Sequence, residues 1–289
     1  MARDNLPRKR PGMAVGPMIS RFNNLLGTGS LKNREMGQTA SIQAAYLVVG
    51  GGGSQGGQSG GVPGGFGAGG GGGAQVNESA LGAVTLSRGT TYTMTVGGVN
   101  ANSIVFDGSA ISNTALLGGR GGPATCGCNG SSSASGYWNS GGGGAGGGAN
   151  SGTNKTGASG GCPNGGGGAG NANNGSGSNG GNGTATSFTG TSITFGSGGG
   201  GGRGGGGGTG AASGDNGPAS ANRGGGGGGG RFNDGNNPGG QASGGFIAIK
   251  LLTSDLSGGT VATTGSPTIS TTGAYTVYEY TGTGTFTWS

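Results

Sequence analysis

Short apolar and β-branched runs alternate along the chain with long stretches of glycine, asparagine and serine. The longest clean apolar run, Ala44–Val49, is far too short to span a bilayer, so we expect no membrane insertion. In Thr91–Val96, every second residue is a threonine and the others are apolar, which is the period of a half-buried strand. Phe246–Leu252 is apolar on both faces, which predicts a central strand.

These patterns predict an all-β protein, because no segment after residue 40 has a helical period. We expect a small β-sandwich-like core of short strands with long glycine-rich loops. The final pair of strands is predicted to form a hairpin about Gly282–Gly284. The predicted strands lie near 41–49, 84–96, 103–106, 187–195, 246–252 and 275–288, and the predicted glycine loops are 50–83, 118–183 and 196–245.

Glycine supplies 87 of the 289 residues, about four times its usual share. The glycine tracts have two alternative states. They could be flexible coil, because ordering glycine costs more backbone entropy than ordering any other residue. Alternatively, they could be packed polyglycine-II helices, extended rods whose hydrogen bonds must all come from neighbouring rods. Composition does not separate these states, but the repeated return to short strands favours order.

The positive charge is concentrated at the start of the chain. Residues 1–40 carry a net charge of +5, and the remainder carries +1 of the total of +6. We therefore divide the chain into a basic N-terminal anchoring arm, 1–40, and a glycine-rich β domain, 41–289. An isolated basic arm is typical of a segment that docks on an acidic partner. The residues assigned to anchoring are Arg3, Arg8, Lys9, Arg10 and Arg21.

The sequence offers little catalytic chemistry. It has no histidine, the commonest general base and metal ligand, and its acidic residues show no paired catalytic spacing. Three cysteines, Cys126, Cys128 and Cys162, would leave a zinc site without its fourth ligand. We therefore predict that the protein is not an enzyme and has no metal site and no cofactor.

Four aromatic residues lie within glycine tracts and are candidates for contact with a receptor: Phe66, Tyr137, Trp138 and Phe232. Aromatic rings give a large contact area at low entropy cost, which suits recognition of a sugar or a protein. The alternative is that each ring packs back onto the β core.

Arg-Gly-Gly triplets begin at Arg120, Arg203 and Arg223. RNA-binding segments of this kind use dense arginines, often with aromatic stacking partners. The three triplets here are scattered over more than a hundred residues, so nucleic-acid binding is the weakest of the alternatives.

The order of strands and glycine runs resembles the glycine-rich domain family of bacteriophage tail-fibre and other virion proteins. The glycine loops are also similar in style to those of tail-fibre tip adhesins, whose polyglycine-II bundles present host-contacting loops. The resemblance covers residues 41–289 and is carried, in order, by Ala45–Gly53, Arg88–Gly97, Thr191–Gly196, Gly244–Lys250 and Gly282–Thr287. One departure is that the strand pair near 276–288, which in the family precedes the first strand, closes this chain.

The resemblance implies a structural or receptor-binding protein on the exterior of a virion, assembled in the host cytoplasm. On this interpretation, residues 1–40 attach it to another capsid or tail protein, and the β domain projects towards a host surface sugar or protein. A homo-oligomer in the particle is expected. The alternative is a head decoration or fibre protein with a purely structural role.

Overall fold

We describe the protein from a computed structural model covering residues 40–56, 66–122, 156–159, 166–202, 205–211, 219–232 and 239–289. Ser41–Ser289 forms one compact unit. The predicted all-β class is confirmed: the described residues contain antiparallel strands and one short helix. The elements in chain order are β1 (Ser41–Val49), β2 (Phe66–Gly67), β3 (Val76–Glu78), β4 (Val84–Ser87), β5 (Thr91–Thr95), β6 (Ser103–Asp107), β7 (Asn113–Ala115), β8 (Thr184–Thr186), β9 (Ile193–Phe195), β10 (Arg231–Phe232), β11 (Phe246–Leu252), α1 (Thr253–Leu256), β12 (Val261–Thr264), β13 (Thr268–Thr272), β14 (Tyr275–Tyr280) and β15 (Gly284–Trp288).

Two antiparallel sheets enclose the main core. The first sheet has the order β13-β14-β11-β1-β3, with β4 also paired to β1, and the second has the order β12-β15-β5-β6-β7. Side chains from both sheets meet between them, including the fully buried Ile249 and Tyr280 from the first and Met94, Phe106 and Phe286 from the second. Each such side chain stabilises the fold by roughly 1.5–3 kcal/mol through burial alone.

Strand β11 occupies the central position that its two-sided apolar sequence predicts. It pairs with β1 on one side and with β14 on the other. One face of β11 packs in the main core, while Phe246 and Ala248 belong to a second apolar cluster on the opposite face of the first sheet. Phe188 and Phe195, from the region of the β8–β9 hairpin, cover this second face. The first sheet is therefore buried on both sides, unlike the many antiparallel sheets that expose one face to solvent.

The hairpin predicted about Gly282–Gly284 is wrong. Strand β14 lies in the first sheet and pairs with β11 and β13, whereas β15 lies in the second sheet and pairs with β12 and β5. The chain crosses from the first sheet to the second between β14 and β15. Tyr280 and Phe286 therefore enter the same core from opposite sides. The hydroxyl of Tyr280 donates to the carbonyl of Thr285 and closes this corner at 2.9 Å.

Other local predictions need smaller corrections. Of the two strands predicted within 187–195, the second is present as β9, but the first is wrong: its place is taken by β8, which ends at Thr186, so Phe188 lies in the connection. Helix α1 was not predicted, since four residues are too few to show a period. The predictions also missed the short strands β2, β3, β7, β10, β12 and β13.

Most described glycine residues belong to a second structural part, which we call the glycine bundle. Its central segment is 67–75, which donates backbone hydrogen bonds in a three-residue repeat. Ala68, Gly71 and Ala74 donate to segment 224–230. Every third residue starting at Gly69 donates to segment 116–122. Every third residue starting at Gly70 donates to segment 166–171. Segments 50–56 and 196–202 complete the ring by donating to the central segment through Gly53, Gly56, Gly199 and Gly202.

The spacing of these segments leaves no room for side chains at several positions. A Cβ added at Gly71 would lie 1.9 Å from the carbonyl oxygen of Gly53, and one at Gly199 would lie 2.1 Å from that of Gly227. Such distances are far below van der Waals contact, so these positions of the bundle accept only glycine. This requirement accounts for the composition of the glycine tracts.

Candidate functional site

The glycine bundle has two ends, which the hydrogen bonds define. At the inner end, Gly50 follows β1 directly and Gly245 precedes β11, so this end adjoins the first sheet. At the outer end, Gly56 donates to Gly69, Gly69 donates to Gly122, and Ala68 donates to Gly230. Since the central segment continues into β3 of the first sheet after residue 75, the level of Ala68 and Gly69 lies at its other end.

Two of the predicted contact residues meet at the outer end. Strands β2 and β10 form an antiparallel pair in which Phe66 lies opposite Phe232, and Gly67 lies opposite Arg231. The two phenylalanines are far apart in sequence, but each adjoins a bundle segment: Phe66 precedes 67–75 and Phe232 follows 224–230. Directly opposite residues on an antiparallel pair have Cβ atoms about 4.5–5.5 Å apart. The backbone pairing therefore brings residues 66 and 232 opposite each other at the outer end of the described bundle.

Arginines accompany this pair. Arg231 precedes Phe232 in β10, and Arg120 lies exposed on the segment that ends at Gly122. Arg120 was singled out by its Arg-Gly-Gly triplet, whereas Arg231 was missed. The signal that could have found it is the Arg-Phe dipeptide between two glycine-rich stretches. The position of Arg231 close to Phe66 has no local sequence signal, because that position depends on how the bundle segments pair.

Several predicted site residues lie outside the described residues. They are Tyr137 and Trp138, the arm residues Arg3, Arg8, Lys9, Arg10 and Arg21, and the cysteines Cys126, Cys128 and Cys162. Within the described ranges, no group of three or more acidic, cysteine or histidine residues is placed to hold a metal ion. The described part also contains no helix with the length and apolar character needed to cross a membrane.

Several groups on the first sheet have shifted pKa values. Lys250 places its Nζ 4.1 Å from the ring centroid of Phe188 and 5.8 Å from that of Tyr275. Burial lowers the pKa of Lys250, and the negative charge of Glu78 partly opposes that shift. Burial raises the pKa of the half-buried Glu279 on β14. Both pKa shifts are caused mainly by burial within the first sheet.

Comparison with known proteins gives no further assignment. No protein-family model, no curated protein and no solved structure matches this chain.

Proposed function

We propose that this chain is a bacteriophage virion protein of the tail-fibre or adhesin type, and that it binds a host receptor through the outer end of its glycine bundle. The observation that carries the proposal is the pairing of Phe66 with Phe232 at that end. Two aromatic residues paired in the backbone, with Arg231 next to Phe232 in the chain and Arg120 on a segment bonded to the central segment, suit a ligand that offers both ring faces and hydroxyl or acidic groups. The family resemblance of residues 41–289 supports the same interpretation.

We also infer that the glycine bundle consists of packed polyglycine-II helices. A polyglycine-II rod has three residues per turn, so its N–H groups point to three neighbours in rotation. The central segment shows this rotation, since Gly71, Gly72 and Gly73 donate to Gly227, Gly119 and Ala169 at 2.7–2.8 Å. Such a bundle is a stiff spacer without a hydrophobic core. Its role in the proposed function is to hold receptor-contacting residues away from the sheets.

The proposal is tested with purified full-length protein in competition with phage adsorption to host cells. We expect the wild-type protein to inhibit adsorption, and the double substitution of Phe66→Ser and Phe232→Ser to abolish inhibition. Leu117→Ser is the matched control, because Leu117 is an exposed apolar residue, 37% accessible, next to the inner end. Equal inhibition by the wild-type and double-variant proteins would reject receptor binding at the outer end.

The anchoring assignment of residues 1–40 has a separate test. Phage assembled with a truncated chain that begins at Ser41 should lack the protein, while the released body should melt cooperatively, because Ser41–Ser289 is a compact unit. Labelled antibodies against the body then locate the full-length protein on the particle. Label on the head rather than at the tail tip would favour the purely structural alternative, and normal incorporation of the truncated chain would overturn the anchoring role.

A further inference from the structure

The two sheets end on the same side of the sandwich, at β13 and β12. Strand β13 ends the first sheet, β12 ends the second, and residues 265–267 join the two strands directly. Among the described strands β13 pairs with β14 alone, and its backbone makes no hydrogen bond to any described residue on its other side. Such an edge presents a row of N–H and C=O groups that can pair with a strand of another chain.

The opposite side of the sandwich is closed by side chains. The sheets end there at β3 and β7, and Nδ2 of Asn77 on β3 donates to the carbonyl of Thr114 on β7 at 2.9 Å. The backbone N–H of Val76 donates to Oδ1 of Asn171 at 3.4 Å. These bonds occupy groups that a further strand would need. The backbone of β13 has no comparable partner within the described ranges.

Strand β13 also lacks the features that normally keep edge strands from pairing. Natural edge strands carry charged residues, bulges or an inserted proline. Between Asp255 and Glu279 the sequence has no charged residue, and Pro267 lies before β13 rather than within it. Ile269 is 56% exposed, the highest value among the large apolar residues of the described part. An uncharged edge with an exposed β-branched side chain favours association with another strand.

We propose that β13 pairs antiparallel with β13 of a second copy of this chain, about a two-fold axis at Ser270. This register uses all five residues of β13, and it places Thr268 opposite Thr272 and Ile269 opposite Thr271 of the second copy. Backbone groups alternate in direction along a strand, and this register sets the outward-facing groups of one edge against those of the other. The two Ile269 residues then lie diagonally on the same face, about 7–8 Å apart, which is within reach of long side chains.

A second copy is the occupant that these features favour. The partner strand must be as uncharged as β13 and must itself have a free edge, and β13 of another copy meets both conditions. The strand is also held ready for pairing, because Gly273 has a φ of 59° and forms a two-residue hairpin turn with Ala274 that fixes β13 against β14.

The size of the contact sets its strength. Five paired residues on each side bury less area than a stable dimer requires, so we expect a weak dimer in solution. Pairing becomes firmer where other contacts bring copies together, because the second contact is then intramolecular. The inference does not depend on receptor binding at the outer end.

The test is charge complementation in the full-length protein, measured by sedimentation velocity over a range of concentrations. We expect the wild-type protein to dimerise weakly. Ile269→Lys alone and Ile269→Glu alone should each raise the dimer dissociation constant about tenfold or more, because like charges then meet across the two-fold axis. An equimolar mixture of the two variants should restore dimerisation, because each pair then joins opposite charges.

Leu81→Lys is the matched control. Leu81 is an exposed apolar residue, 38% accessible, in the connection between β3 and β4. We expect this variant to dimerise like the wild type. Thermal melting of each variant establishes that it folds, which the exposed position of Ile269 permits.

Three outcomes would overturn the proposal. The first is a wild-type protein that stays monomeric at the highest concentration, and the second is self-association that neither Ile269 substitution weakens. The third is a mixture that stays monomeric after both single variants have lost dimerisation, which would exclude the two-fold register at Ser270. If the wild type is monomeric and Ile269→Lys weakens phage adsorption, the edge takes a strand of a host protein instead. No variant changes Phe66 or Phe232, so failure here is distinguishable from failure of receptor binding at the outer end.

Discussion

Single backbone atoms determine where the glycine bundle requires glycine. Gly71 lies in the central segment and both donates to Gly227 and accepts from Gly199. We expect Gly71→Ala to destabilise the protein by about 3 kcal/mol or more, because the new Cβ would collide with the carbonyl oxygen of Gly53 and neither backbone can move without breaking bonds. Thermal or urea unfolding of the full-length protein measures this loss.

Gly98→Ala is the matched control for that experiment. Gly98 borders the bundle, but an added Cβ there would meet no atom within 4 Å. We expect its unfolding free energy to change by about 0.5 kcal/mol or less, as for an ordinary surface substitution. Similar losses in Gly71→Ala and Gly98→Ala would contradict the close-packed description of the bundle.

Glu279 provides a pH-dependent prediction at the residue scale. Burial raises the pKa of Glu279 in the folded protein, so the unfolded chain releases this proton at a lower pH than the folded chain does. Folding stability must therefore fall as pH rises from the ordinary carboxyl pKa, about pH 4, to the folded value. Glu279→Gln removes this cost, and its unfolding free energy relative to wild type should increase with pH across that window. A difference that does not vary with pH would refute this account of Glu279.

At the scale of elements, a cation–π contact connects the β8–β9 hairpin to the first sheet. Lys250 on β11 lies under the ring of Phe188, which follows β8 and is only 3% exposed. We expect a double-mutant cycle of Phe188→Leu and Lys250→Met to give a coupling of about 1 kcal/mol, because leucine retains apolar volume but lacks a π face. Urea unfolding of the four proteins measures the coupling. Additive losses would mean that hydrophobic cover alone holds the hairpin in place.

Sequence patterns predicted the positions of strands better than they predicted which strands pair with each other. Tyr92 and Met94 are buried and their neighbours more exposed, as the alternation in β5 indicated, and β11 is central, as its apolar sequence indicated. The separation of β14 from β15 was missed because a short glycine-containing connection looks the same whether its strands pair with each other or cross between sheets. Which strands pair depends on burial of residues such as Phe286, and local periodicity does not contain that information.

The candidate site could be predicted only in part, because its residues also come together through pairing of distant segments. Phe66 and Phe232 stood out because they interrupt glycine runs, but their pairing depends on the register of glycine segments. Register normally follows from which side chains must be buried, and glycine segments have no side chains to specify it. The contact between Phe195 and Phe246 could not be predicted for a related reason, since the two rings come together only after β9 covers the first sheet.

For the whole molecule, the central question is how a glycine-rich part can be ordered without a hydrophobic core. Ordering each residue costs about 1–2 kcal/mol, and a net hydrogen bond returns about 0.5–1.5 kcal/mol, so the two nearly cancel. The balance must come from close packing and from attachment to the sheets, which fix the inner ends of the segments through β1, β9 and β11. The bundle should therefore depend on the sandwich for its stability.

This dependence gives a prediction for hydrogen exchange. Amides of the central segment, Gly69–Gly73, should exchange many times more slowly than in a free peptide, because each is bonded to a neighbouring segment. Trp288→Ala, a change far from the bundle that removes a fully buried ring from the main core, should destabilise the sandwich by about 3–5 kcal/mol. If the bundle depends on the sandwich, exchange of Gly69–Gly73 should accelerate in step with that of β11. If the glycine amides of Trp288→Ala stay protected after the β11 amides have lost their protection, the bundle is stable by itself. Rapid exchange of Gly69–Gly73 in the wild-type protein would exclude ordered polyglycine-II rods.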